Sequence, residues 1–399
     1  MLKRLSALVV MIALCCFTLV GCGGKESQTI KIGVPIPLTG AQANFGEILQ
    51  KAYRMAEEEI NNAGGVKGKR LELVIVDHQG KPEAAMASAE NMITTDKVSM
   101  LLGGYASSTA YAIAQVAQKN SMPYVVDVAS ADRVTQQGWK CVFRFSECSS
   151  MAMDGPISFM EKIAKPESIA LIYENSVFGQ DSIKIVESWA KQNGVKVAFS
   201  DSFMPGSVDF KPILSRIKEA HPDIIIPVAY LTDAVLIVRQ AKELDISPKM
   251  FIGAGAGFVL PEFVTQAGNA SAYVASASIW QPDMKYAGIP EFVKKWTDKF
   301  GTAPTYHAAA GYAAIYVAKD ALERAVSLKP EDIANALKAT DLKTVYGRVK
   351  FEDFNGYTNQ NKPMGVMVQW LDGKLPTVWP AEAAAAKYVY PVPAWNERK

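Results

Sequence analysis

Cysteine and histidine are scarce in this chain, and their scarcity removes most of the chemistry that would mark an enzyme. The three histidines, His78, His221 and His307, are not spaced as a metal pair on one helix, and the five cysteines contain no C-x-x-C arrangement. No metal site, cofactor or catalytic residue is therefore assigned. A phosphate-binding loop and a nucleophile elbow are also missing, and the glycines of GAGAGF (253–258) do not fit the dinucleotide-binding spacing. Charge of one sign is not in excess: without Lys3 and Arg4, 40 basic residues stand against 40 acidic ones, so no footprint for nucleic acid exists. Long apolar runs are almost absent too. The one at residues 5–20 follows Lys3 and Arg4 and is short for a membrane span.

That run reads as a signal peptide over residues 1–21. Its end, Leu19, Val20, Gly21 and Cys22, resembles the lipobox of bacterial lipoproteins, which implies lipid attachment at Cys22. Residues 22–28, with Gly23, Gly24 and Ser27, then form a tether. The expected location is the outer face of a bacterial membrane or the periplasm, held by a lipid anchor. Export permits a disulfide between Cys141 and Cys148, with two free thiols as the other outcome. With 49% hydrophobic residues, the roughly 375 residues after the signal suffice for two domains of ordinary size.

Strand-like apolar runs alternate with helical patterns through most of the chain. Strands are expected at 30–35, 70–77, 98–102, 123–128, 141–145, 168–173, 195–203, 223–228 and 250–253, with helical patterns between most of them. This implies an α/β protein with parallel sheets flanked by helices. Helical patterns dominate 290–339, and 345–351 and 364–371 read as antiparallel or edge strands.

The site is expected where two small-residue loops end neighbouring strands. Gly103 and Gly104 break the third strand, and Ser107, Ser108 and Thr109 open a helix whose free amides and dipole favour an anion. Ala129, Ser130 and Ala131 end the fourth strand beside them. Any one such hydroxyl could be a simple cap; two loops together suit one small ligand. Asp127 is a candidate carboxylate next to the second loop. The GAGAGF loop allows close approach of a ligand or of another backbone.

The segments IKIGVPIPLTG, EINNAGGVKGKRLELVIVDHQGKPEAA, GGYASSTAYAIAQ, YVVDVASADRVTQQGW, FRFSE, IALIYENSVFGQ, DIIIPVAY, YHAAAGYAAIYVAKDALERA and VYGRVKF, in this order, resemble the substrate-binding proteins of ABC importers for branched-chain amino acids, the type I periplasmic binding proteins. The resemblance covers nearly all of 29–380. It implies two lobes joined by a hinge of crossing strands: lobe 1 at 29–146 and 278–355, and lobe 2 at 147–277 and 356–399. It further implies a monomer that binds a hydrophobic amino acid between the lobes and delivers it to a membrane permease.

Residue by residue, the resemblance places the ligand carboxylate at Ser107 and Ser108 with Ala129 and Ser130; Tyr105 and Ala106 precede the first pair. Phe45, Phe178, Tyr230 and the Tyr306–His307 step become walls. Where amino-acid-binding relatives carry an acidic partner for the α-ammonium, this chain has Ala254, Gly255 and Ala256. Asp127 or Asp233 could replace that partner, or the ligand could be an aromatic or aliphatic acid or amide without an ammonium. A sensory module and an exported α/β enzyme are the remote alternatives.

Overall fold

The computed structural model describes residues 29–398, so the expected signal peptide, tether and Cys22 lie outside the described residues. The described residues begin with β1 (Thr29–Ile36), α1 (Ala43–Asn62), β2 (Arg70–Asp77), α2 (Pro82–Thr94), β3 (Met100–Leu102), α3 (Ser107–Lys119), β4 (Tyr124–Val126) and β5 (Val142–Arg144). It continues with α4 (Ser149–Phe159), β6 (Ser168–Glu174), α5 (Val177–Gln192), β7 (Lys196–Phe203), α6 (Lys211–Ala220), β8 (Ile224–Val228), α7 (Leu231–Glu243), β9 (Met250–Gly253), α8 (Pro261–Ala267) and β10 (Ala275–Ser278). The last part holds α9 (Ile289–Phe300), α10 (Tyr306–Arg324), α11 (Pro330–Lys338), β11 (Asp341–Thr344), β12 (Gly347–Lys350), β13 (Glu352–Phe354), β14 (Tyr357–Gln360), β15 (Val366–Gln369) and β16 (Thr377–Trp379).

Two seven-stranded sheets result. The first has the order β13-β14-β5-β4-β3-β1-β2 and the second β16-β15-β10-β9-β8-β6-β7. Within each, the five strands of the β-α alternation pair in parallel, because each crossover helix returns the chain to the same end of the sheet. Helices on both faces explain why β8 is buried at every position: Ile224, Ile225 and Ile226 face layers on either side, each gaining roughly 2 kcal/mol from burial. The expected two-lobed, mainly parallel α/β architecture is the observed one.

The chain passes between the lobes three times, after β5, after β10 and after β14. The last passage falls between Gln360 and Val366, later than the boundary read at 355. The reason is pairing: β14 joins the first sheet through Gln360 opposite Arg144, so the first lobe keeps its strands through Gln360. The strand expected at 345–351 is present as β12, antiparallel to β11 in a hairpin whose turn takes up Val345 and Tyr346. The stretch expected at 364–371 forms β15, antiparallel to β10.

Cys141 and Cys148 are both free thiols, so the bridge allowed by the sequence is absent. They flank β5, and an extended strand separates its ends by about 3.3 Å per residue, far beyond disulfide reach. Among the described residues no helix is long and apolar enough to cross a membrane.

Candidate functional site

In each sheet one strand sits between its two successors in the alternation: β1 lies between β2 and β3, and β6 between β7 and β8. Loops leaving the carboxyl ends of such neighbours turn to opposite faces and leave a crevice. The crevices of the two lobes form one cavity, with about 550 Å³ of empty space counting the part open to solvent. The first lobe contributes Tyr105, Ser107, Val128, Ala129, Ser130 and Tyr306 to its lining, and the second Phe178, Ser182, Tyr230 and Ala254–Ala256.

The loop after β3 is held in a strained shape. Gly103, Gly104 and Tyr105 all have positive φ, at 100°, 100° and 57°. A Cβ on Gly104 would come within 2.5 Å of the Tyr124 hydroxyl, so only glycine fits. Thr109 donates its hydroxyl to the Gly104 carbonyl at 2.5 Å, and His78 Nε2 lies 3.3 Å from the same oxygen. Ser107 is the first residue of α3, not its cap; the cap position is Ala106, which supplies no side-chain bond. The Ser107 hydroxyl instead accepts the Ala131 amide at 3.0 Å, tying the two expected loops together.

Three helices start at this cavity without a side-chain cap. They are α3 after Ala106, α4 after Cys148 and α7 after Tyr230, and Ser107, Ser149 and Tyr230 from these ends line the cavity. First turns without such a cap carry the positive end of the dipole, although at α4 the Ser149 amide goes to the Ser130 carbonyl at 2.7 Å and the Ser150 amide to Asp132 Oδ1 at 3.1 Å. A chain of hydroxyls runs beside them: Ser182 donates to Ser149 at 3.2 Å, and Ser149 lies 3.2 Å from the Ser130 hydroxyl and 3.1 Å from the Ser130 carbonyl. Below the second loop, buried Arg144 donates Nη1 to the carbonyls of Ala129 (3.2 Å) and Ala131 (2.7 Å), and Nε to Gln360. A fixed cation thus shapes the loop that presents Ser130.

The aromatic positions divide into two layers. Tyr105, Phe178, Tyr230 and Tyr306 line the cavity. Tyr230 stands 5.5 Å from Phe178 and 5.9 Å from Tyr105, ring centre to ring centre, so it bridges the lobes. Phe45 is stacked behind Tyr105 at 4.7 Å, and His307 lies behind Phe45 and against Tyr306. Neither Phe45 nor His307 is in the lining. His307 is fully buried with both ring nitrogens unpartnered, and desolvation pushes its pKa down to about 3, so it is neutral.

Ala106 and Ser108, on either side of Ser107, are likewise outside the lining. Asp127 is buried below β4 with Tyr53 donating to it, and burial raises its pKa to about 6. Neither Asp127 nor Asp233 reaches the lining. In the GAGAGF loop, Gly255 (φ 79°) lines the cavity, while a Cβ on Gly257 would come within 2.5 Å of the Leu231 amide nitrogen. The close approach there is between two backbones.

Four polar lining residues were not singled out from the sequence: Ser149, Ser182, Ser278 and Glu147. Glu147 is the one charged residue of the lining. Its position three residues after β5, within FRFSE, is the available signal. The lobes are also latched at the rim, where Arg133 of the first lobe meets Asp181 on α5 through Nε at 2.9 and 3.0 Å and through Nη2.

Two α/β lobes, three crossings and a shared cavity rich in helix N-termini define a two-lobed binding protein that holds a small ligand between its halves. The periplasmic binding protein family model matches residues 29–374, and the chain belongs to that family. It is 28% identical over 395 residues to Leu/Ile/Val-binding protein homolog 7 of Brucella melitensis, covering 96% of this chain and 99% of the relative. A leucine-binding protein of Thermotoga maritima superposes with a TM-score of 0.80 at 26% identity, covering 87% of this chain and 97% of that one. A branched-chain amino acid transporter substrate-binding protein of Streptococcus pneumoniae, solved with isoleucine, gives 0.80 at 25% identity over 88% and 100%.

Proposed function

We propose that this protein is the extracytoplasmic solute-binding component of an ABC importer and closes over a small apolar carboxylate, most simply a branched-chain or other hydrophobic amino acid. The observation that carries the reading is the convergence of three helix starts, two of them (α3 and α7) uncapped, and a serine chain on a cavity walled by Tyr105, Phe178 and Tyr230. Amides and hydroxyls suit a carboxylate, and the rings suit an apolar body. Ser107 and Ser130 are the proposed carboxylate contacts. The isoleucine in the Streptococcus pneumoniae protein supports the amino-acid reading.

Closure buries the carboxylate between the lobes and brings Tyr230 against Tyr105; the closed form is what a membrane permease would recognise. No chemical step belongs to this role. Cys22 is proposed as a lipid anchor, on the Leu19–Val20–Gly21 sequence before it, and the protein as a monomer. A second reading, an aromatic or aliphatic acid lacking an ammonium, is favoured by the absence of a carboxylate in Ala254–Gly255–Ala256.

A thermal-shift screen of amino acids and matching carboxylic acids tests the role. A true ligand at 100 times its Kd adds about 2.7 kcal/mol and raises the melting temperature. If no member of either class shifts it, the assignment falls.

A further inference from the structure

The cavity lining contains eight hydroxyl-bearing side chains but one charge, Glu147. Glu147 is 4% exposed and leaves β5 at the first crossing between the lobes, close to where Ser149 opens α4. Tyr346, from the β11–β12 hairpin, donates its hydroxyl to Oε2 at 3.1 Å, and this fixes the carboxylate at the cavity wall. The position is unrelated to the GAGAGF loop, which belongs to the second lobe after β9. No Lys, Arg or His lines the cavity to neutralise it. Arg144 is the nearby cation, but its donors go to Ala129, Ala131, Thr135 and Gln360 below the loop.

A bare carboxylate entering this cavity would meet the helix starts but also a like charge, two residues before the Ser149 end of α4. A zwitterion, whose ammonium and carboxylate share one carbon, would find a partner for each charge. We infer that Glu147 is the partner of the ligand α-ammonium and makes the site selective for amino acids over their deaminated analogues. This rests on the carboxylate-binding role proposed above and adds to it the second half of the ligand. Buried ammonium and carboxylate groups need such pairing, because either one alone pays its full desolvation cost.

The charge state of Glu147 gives the selectivity a pH signature. Burial pushes its pKa up to about 7, against the opposing influence of its own amide, the Tyr346 hydroxyl and Arg144. The other groups facing it do not titrate in this range: Tyr346 and Tyr306 are both pushed further above the ordinary tyrosine value. As pH falls through about 7, Glu147 takes up a proton, so amino-acid affinity should fall while affinity for the deaminated acid rises.

The test is calorimetric titration of the full chain with isoleucine and 3-methylpentanoate, and with phenylalanine and 3-phenylpropanoate, at pH 6 and pH 8.5. Wild type is expected to prefer the amino acid of the bound pair at pH 8.5 and to lose part of that preference at pH 6. Glu147→Gln should weaken the amino acid by at least about 30-fold and leave the deaminated acid unchanged or tighter, with Glu147→Asp recovering part of the loss. Wild-type preference for the deaminated acid, or unchanged amino-acid affinity in Glu147→Gln, would overturn the inference while leaving the carboxylate role intact. Binding of neither member of either pair, with no shift in the wider thermal screen, would overturn both. The wild-type comparison stands even if a variant fails to fold.

Discussion

The two faces of the cavity are built from the same β-α arrangement and yet differ in what they offer. On the first lobe, Ser107 and Ser130 are held by backbone strain, a hydrogen bond between loops and the buried Arg144 cation. On the second lobe, Phe178 and Tyr230 face the cavity, and two buried acids lie outside the lining, Glu174 near enough to raise the pKa of the Tyr230 hydroxyl and Asp233 near enough to act on Glu174. Burial raises their pKa values to about 7 and about 6, and the nearby Asp233 raises Glu174 further. One face is a rigid polar seat over a cation, and the other combines aromatic rings and serine hydroxyls with partly neutralised acids outside the lining. The contrast fits the proposed carboxylate seat on Ser107 and Ser130 of the first lobe, with the α4 and α7 starts of the second lobe facing the same cavity.

The largest effect expected from breaking this contrast is at Arg144. Arg144→Met would leave the Ala129 carbonyl buried without its donor, strip Ala131, Thr135 and Gln360 of one donor each, and should destabilise the ligand-free protein by at least about 3 kcal/mol in urea denaturation. A loss under about 1 kcal/mol would mean that the first-lobe seat does not depend on its cation.

Glu174→Gln probes the second lobe, and its sign depends on pH. A carboxyl whose folded pKa is raised contributes stability that is complete below its unfolded value, near 4.5, and is lost as pH rises through about 7. Glutamine has no ionisation cost, so the variant should gain on wild type as pH rises from 5 to 8, by on the order of 2 kcal/mol. A difference that stays constant over that range would show that Glu174 is not held towards neutrality.

The smallest change concerns the rim that joins the faces. Asp181→Asn removes the charge opposite Arg133 between the lobes, and since the pair is partly exposed it should cost about 1 kcal/mol of closure. Affinity for the ligand found in the thermal screen should drop roughly fivefold, with the denaturation midpoint of the free protein nearly unchanged. Equal effects on midpoint and affinity would make the pair a structural support and not a latch.

Much of this was readable from residues. Strand-like runs bounded by Gly, Pro and helical patterns locate the sheets because a parallel strand buried on both faces must be apolar throughout, as at 224–228. The two small-residue loops are readable for the same reason: they end strands. What the pattern does not carry is depth. Phe45 and Tyr105 are both aromatic and both near strand ends, but only the stacking of one on the other decides that Tyr105 faces the cavity. Tyr306 and His307 are adjacent, and the register of α10 alone sends the tyrosine to the lining and the histidine into the core. Glu147 is a single acid after a strand, a pattern that usually means a turn, and it acquires a chemical setting only when the hairpin from 341–350 brings Tyr346 to it.

Crystallisation of the protein with isoleucine bound tests the central claim most directly. The expected structure has both lobes closed on the ligand, its carboxylate on the Ser107 and Ser130 loops and its side chain against Phe178 and Tyr230. A carboxylate lying instead against Ala254–Ala256 of the second lobe, with the side chain towards Ser107, would contradict it.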